Sequence, residues 1–254
     1  MKVQPKSFIS LVSYFIIGVA VIVSTVVAAS AWKSVKNRPK ERTIKVTGSA
    51  KRRIVSDRIG WTATMTVTNM DRTTAYKELS ANVVKALDYL KSKGIKEKQI
   101  SVSAATFHEK HETEYHGTGT ERVEKSVFKG YTTRQTITVE SSEVLKVEKI
   151  SREITSLLEQ GIAIYSSAPR YYYTKIGELK ITMLAEASGD ARNRAQNIVS
   201  KADNTSLGRL KKATMGIINI NPANSTSVAW DGNNDVTSLE KDIITIVHAE
   251  YFLD

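Results

Sequence analysis

The apolar and polar positions of this chain change period several times, and each change marks an element. Over Arg58–Asn69 the alternation is strict. Trp61, Ala63, Met65 and Val67 fall on one side, and Thr62, Thr64, Thr66 and Thr68 on the other. Period two with one apolar side predicts a strand that buries one face. Thr43–Ser49 alternates in the same way through Ile44 and Val46. After Asp71, an N-cap residue type, the period lengthens. Tyr76, Leu79, Val83, Leu87 and Leu90 then recur every three or four residues, which predicts a helix running to Lys93 and stopped by Gly94.

Gln99–Tyr115 and Glu121–Glu140 are two long segments around His116-Gly117-Thr118-Gly119-Thr120, whose glycines supply the positive φ of a hairpin tip. The second arm sets Tyr131, Thr133, Gln135, Ile137 and Val139 against Thr132, Arg134, Thr136 and Thr138. A helix is predicted over Ser142–Gln160, with Leu145 or Val147, Ile150, Ile154, Leu157 and Leu158 inward and Gly161 closing it. A strand over Ile162–Thr174 precedes a third helix over Gly177–Ala202, which turns Leu179, Met183, Ala187, Ala191, Ala195 and Ile198 inward. Strands over Gly208–Ile220 and Lys241–Leu253 finish the chain. Between them Asn221–Ser238, rich in Asn, Ser and Gly, has no period and reads as a mobile loop or hairpin tip. The order ββα-ββα-βα-ββ, with hairpins dominating, predicts an α+β fold: a mostly antiparallel sheet with three helices packed on one face.

The amino-terminal pattern is of another kind. Between Lys6 and Lys33, the 26 residues Ser7–Trp32 carry no charge. About 20 apolar residues span a hydrocarbon core as a helix, so this run is long enough to be a transmembrane anchor. Ala29-Ser30-Ala31 offers a signal-peptidase pattern near Ala31, but the apolar run exceeds the roughly 7–15 residues of a signal. The chain thus divides into a short tail (1–6), an anchor (7–32), a basic juxtamembrane linker (33–41) and one α+β domain (42–254).

Charge changes the picture through its position. The chain holds 37 Lys and Arg against 26 Asp and Glu, a net +11. Lys33–Arg58 alone holds ten basic and two acidic residues, whereas the 196 residues after Arg58 net only +1. The excess is a collar beside the apolar run, with Lys33, Lys36, Arg38, Lys40 and Arg42 at its start. A nucleic-acid-binding domain carries its basic patch on the fold itself, which argues against that partner and for anionic headgroups. By the positive-inside rule the collar would place the domain in the cytoplasm. With 41% hydrophobic residues the chain is globular, and with no cysteine it has neither disulfides nor a thiolate site.

Candidate chemistry is sparse. His108, His111 and His116 sit among Glu109, Glu112 and Glu114, donors that suit a divalent metal. On a strand, however, His108 and His116 share a face and His111 points the other way. A solvated hairpin end accounts for them equally well. His248 lies in the last strand with no partner placed by sequence, which suits a cross-strand or core histidine. Arg170-Tyr171-Tyr172-Tyr173 is a possible interface or stacking surface, or simply an aromatic strand. No G-x-S-x-G, Walker A or G-x-G-x-x-G occurs, so no catalytic residue and no cofactor is assigned. An enzymatic or metal-binding module around the histidines is the second reading. A cytoplasm-facing domain binding anionic lipid or nucleic acid through its collar is the third.

Thr43-Ile44-Lys45-Val46-Thr47-Gly48-Ser49-Ala50, Trp61–Val67, Leu158-Glu159-Gln160-Gly161-Ile162, the alanine-spaced helix Ala187–Ala195 leading to Leu207-Gly208-Arg209-Leu210, and the ending Ile246–Leu253 occur in that order. The ordered set resembles the SIMPL-domain family, which includes YggE-like and periplasmic immunogenic proteins, over roughly Arg42–Asp254. The resemblance implies a single-pass protein of the inner membrane, non-enzymatic, with its domain in the periplasm or outside the cell. It also implies a link to envelope or oxidative-stress tolerance, self-association and envelope protein partners. It assigns no catalytic residues, and on topology it opposes the collar's charges.

Overall fold

The computed structural model describes residues 5–36, 41–117, 122–202, 205–227 and 229–254. The first element, α1 (Pro5–Lys36), contains the stretch Val12–Lys36, whose most apolar 18 residues have a mean hydropathy of 2.4, none of them buried against the rest of the chain. At 1.5 Å per residue that stretch is roughly 37 Å long, enough to cross a core of roughly 30 Å. It is the one helix among the described residues long and apolar enough to do so.

The strand pattern resolves into β1 (Thr43–Val55) and β2 (Arg58–Asn69), followed by α2 (Arg72–Ser92). Asp71 caps α2 as expected, accepting a hydrogen bond from the Thr74 amide at 2.6 Å. Next come β3 (Ile100–Val102), β4 (Thr106–His116), β5 (Val123–Ser141), α3 (Val144–Glu153) and a turn of 3₁₀ helix over Ile154–Gln160. The chain ends with β6 (Ile164–Ser166), β7 (Arg170–Tyr172), α4 (Ile176–Val199), β8 (Leu207–Met215), β9 (Asn219–Pro222) and β10 (Glu240–Leu253).

The fold is α+β with antiparallel pairing throughout the named strands, but the strands divide between two sheets. One has the order β1-β10-β8, with β9 also on β10; the other has the order β3-β5-β2-β6, with β4 on β5 and β7 on β2. β1 and β2 are therefore not a hairpin: within two residues the chain leaves one sheet and enters the other. Each sheet has its own helical cover. Ala75, Leu79, Val83, Ala86 and Leu90 of α2, with Val147 and Ile150 of α3, bury Ile59, Trp61, Ala63 and Met65 of β2 and Ile137 and Val139 of β5. Leu179, Met183 and Ala187 of α4 cover Ala50, Ile54, Ile243 and Val247.

Several boundaries differ from the sequence reading, each for a local reason. Pro169, which has no amide hydrogen to give a ladder, separates β6 from β7 within the expected single strand. Gly216, whose amide turns to the Ile246 carbonyl, ends β8 before β9. Ser103 separates β3 from β4. The fully buried stripe of α2 passes through Ala75 and Ala86, while Leu87 packs partly buried at the margin of the same core and Tyr76 is exposed. In α3 it is Val147, not Leu145, that turns inward. The 3₁₀ turn leaves Leu158 exposed, and in α4 Val199 replaces Ile198 one turn beyond Ala195. Of the hairpin tip, Gly117 has the expected positive φ (+89°), while Thr118, Gly119 and Thr120 lie outside the described residues.

Candidate functional site

The helices cover one face of the β5–β2 sheet and leave the other open. On that face Thr62 stands opposite Thr138, Thr64 opposite Thr136 and Thr68 opposite Thr132. Hydroxyl pairs tie this ladder across the strands, Thr64 to Thr136 and Thr68 to Thr132, each at 3.0 Å. The side chains that period two pushed out of the core thus form a half-buried polar surface.

At one end of the face the register builds a cleft. β2 presents Arg58, Gly60 and Thr62 outward in succession. β7 sets Tyr172 opposite Arg58 and Arg170 opposite Gly60, while β5 sets Glu140 on the other flank of Gly60. Glycine leaves a gap in the middle of this ring of long side chains. The Tyr172 ring packs against it, Cε2 lying 3.4 Å from where a Gly60 Cβ would sit. The resulting cleft is about 560 Å³, within the range of small-molecule sites. Arg58 Nη2 donates to Glu140 Oε2 at 2.9 Å. Arg170 has no acidic partner among the described residues. The cleft therefore carries one net positive charge, and its rim is hydroxylic: Thr62 and Ser167 pair at 2.7 Å beside Thr138.

The aromatic stripe is split by strand alternation. Arg170 and Tyr172 face the cleft, whereas Tyr171 is buried in the core and Tyr173 packs against the sheet covered by α4. The histidines are placed as period two requires. His111 stacks edge-on against Phe128 at 5.5 Å, on the face opposite His108 and His116. His116 lies 3.9 Å from Glu114, whose carboxyl is held below its usual range by a 2.8 Å bond from Lys129. Among the described residues no group of three or more His, Cys, Asp or Glu side chains could hold a metal ion.

His248 is a cross-strand histidine, its Nδ1 3.1 Å from the Thr47 hydroxyl on an exposed face. Of the basic collar, Lys33 and Lys36 form the last turn of α1 and Arg42 reaches the Thr205 hydroxyl at 3.3 Å. Arg38 and Lys40 lie outside the described residues.

The sequence reading missed two features. One is the set Arg58, Gly60 and Glu140, for which a glycine inside a strictly alternating strand was the available signal. The other is Lys241, 2% exposed, whose Nζ donates to the Tyr171 carbonyl at 2.7 Å and to the Asp235 carbonyl. Burial lowers its pKa, and the Asp235 charge opposes that shift. With both carbonyls satisfied, Lys241 stitches the two sheets together. Within the aperiodic stretch, Asn221 Nδ2 donates to the Ser227 carbonyl and Asn233 Nδ2 to Asn221 Oδ1 at 2.8 Å.

Comparison with curated proteins finds no match. A family model does: SIMPL, described as proteins of unknown function (DUF541), matches residues 44–245, the whole span from β1 into β10. By that match and by the two-sheet α+β domain following an apolar helix, the chain belongs to the SIMPL family.

Proposed function

We propose that this protein is a membrane-tethered, non-enzymatic SIMPL domain that self-associates outside the cytoplasm and serves envelope integrity or oxidative-stress tolerance. The observation that supports self-association is the ribbon at the end of β4 and β5. Past the Asn69–Tyr131 pair, where β2 stops, Lys110–His116 and Val123–Gly130 pair with each other and with no third strand among the described residues. A lone two-stranded ribbon is marginal in water, and its unpaired edges are templates for another chain. The two edges differ in charge. β4 carries Glu109, Glu112 and Glu114 against Lys110, whereas the outer half of β5 carries Lys125 and Lys129 against Glu124. An acidic edge of one copy suits the basic edge of a second.

Alkaline phosphatase fused after Asp254, with membrane fractionation, tests the tether and its orientation. An active fusion in the membrane fraction is expected, and an inactive, stably expressed one would overturn the topology. Light scattering on the detergent-solubilised full chain tests assembly. The expected particle holds more than one copy and dissociates on the combined substitution Glu109→Lys and Glu112→Lys. A monomeric wild type would refute this reading.

A further inference from the structure

The cleft beside Gly60 has the ingredients of a ligand site, and they select one chemistry. Arg58 and Arg170 rise from the same face on diagonally related positions of β2 and β7. One guanidinium is neutralised by Glu140, so a single positive charge is left to be met. That charge sits on Arg170, whose planar fork matches a carboxylate in two parallel bonds. Next to it, Tyr172 is 40% exposed although its ring rests on Gly60, leaving aromatic surface beside the cationic group. The rest of the lining includes the hydroxyl residues Thr62, Thr138 and Ser167. Ser167 donates its hydroxyl hydrogen to the Thr62 carbonyl at 2.9 Å, and Thr62 donates its own to Ser167 at 2.7 Å. What this part of the lining offers a ligand is therefore hydroxyl lone pairs, which suit a ligand with hydroxyl donors better than a purely apolar acid. A polyphosphate would need more charge than one free arginine supplies. A ring that carries one carboxylate, several hydroxyls and an apolar flank satisfies all three.

We infer that the Arg58–Gly60–Arg170–Tyr172 cleft binds a carboxylate-bearing saccharide, with the carboxylate on Arg170 and the sugar ring against Tyr172. This site is separate from the ribbon edges and does not depend on which side of the membrane the domain faces. Gly60 is the size determinant: any side chain there rises from the cleft floor between the two arginines.

Ligand-observed saturation-transfer NMR on the full chain in detergent micelles, with D-glucuronate as probe and D-glucose and benzoate as comparators, tests the assignment. Glucuronate should bind on the order of 1 mM, as expected for so small a ligand, and glucose at least about tenfold more weakly. Arg170→Gln, at an exposed position, should lower glucuronate affinity by about tenfold or more while leaving the thermal melt unchanged. Glu140→Gln, which frees the second guanidinium, should raise affinity at low salt, and added salt should erase that gain. Gly60→Val should abolish binding. Equal binding of glucose and glucuronate, tighter binding of benzoate, or glucuronate binding indifferent to Arg170→Gln would each overturn the assignment, as would absence of any saturation transfer to glucuronate.

Discussion

Gly48, at the centre of β1, lies where α4 meets the sheet backbone to backbone. A Cβ added there would fall 2.2 Å from the Ala187 carbonyl oxygen, 2.3 Å from the Ala191 nitrogen and 2.7 Å from the Ala191 Cα. Favourable contact needs roughly 3.5–4.0 Å between carbons, so Gly48→Ala requires α4 to withdraw by roughly 1 Å or more. Rotamer changes give no relief, because every obstructing atom is main chain. Lifting the helix loosens Ala191 and Ala195 from Val46, Ala249 and Tyr251, and Ala187 from Ala50, Ile243 and Val247, all three alanines being fully buried. Overpacking costs about 1–3 kcal/mol when side chains can adjust, and a rigid helix places this substitution at the upper end, about 3 kcal/mol. For a domain of this size that is a fall in Tm of roughly 6–12 °C, measurable by circular dichroism on the detergent-solubilised chain. Gly60→Ala is the control, since its nearest neighbour is a movable ring carbon at 3.4 Å, and it should shift Tm by little. Adding Ala191→Gly to Gly48→Ala should not restore stability, since the obstruction is backbone. A Gly48→Ala melt equal to wild type, or rescue by Ala191→Gly, would refute the close-approach argument.

Two further outcomes are expected. Asp242, 1% exposed, is held by Arg53 at 3.0 Å, Lys51 at 3.0 Å and the Asn224 amide at 2.9 Å, and the Arg53 bond, ahead of the opposing burial, keeps its carboxyl far below the usual range. A depressed folded-state pKa contributes stability above the unfolded value of about 3.9 and loses it as pH falls below that. Asp242→Asn should therefore destabilise at pH 7 by about 1.5–3 kcal/mol, with the gap to wild type narrowing in urea titrations at successively lower pH. Ser166 links Trp61 Nε1, at 2.9 Å, to the Ser151 carbonyl, at 2.6 Å, beneath the helical cover. Ser166→Ala strands both groups and should cost about 1–3 kcal/mol by urea unfolding; an unchanged midpoint would show that the relay contributes nothing.

Much of the fold was legible because burial on one face writes itself as a period. The threonine alternation of β2 and β5, the Asp71 cap, the alanine stripe of α4 and the uncharged amino-terminal run each follow from local geometry and transfer energetics. Where the reading slipped, the deciding interaction lay far away in sequence. Tyr76 is exposed and Ala75 takes its place in the core of α2, because the helix's rotation about its axis is fixed by the strands it packs on and a period alone leaves it one residue uncertain. The bonds that Asn221 makes with Ser227 and Asn233 join residues within an aperiodic stretch, and such bonds leave no repeat in a sequence.

The site divides in the same way. The sequence by itself determined that Thr62 and its fellow threonines leave the core, because Trp61, Ala63 and Met65 alternate with them and are buried. That Tyr171 turns inward while Arg170 and Tyr172 turn out was decided by the structure. Only tertiary structure decided that Arg170 stands across from Gly60, that Glu140 neutralises Arg58 rather than Arg170, and that β1 and β2 part into different sheets. The physical reason is that facing toward or away from the core is a property of one strand's own period. Register is a relation between strands, here about a hundred residues apart, fixed by the packing of all the helices and strands at once.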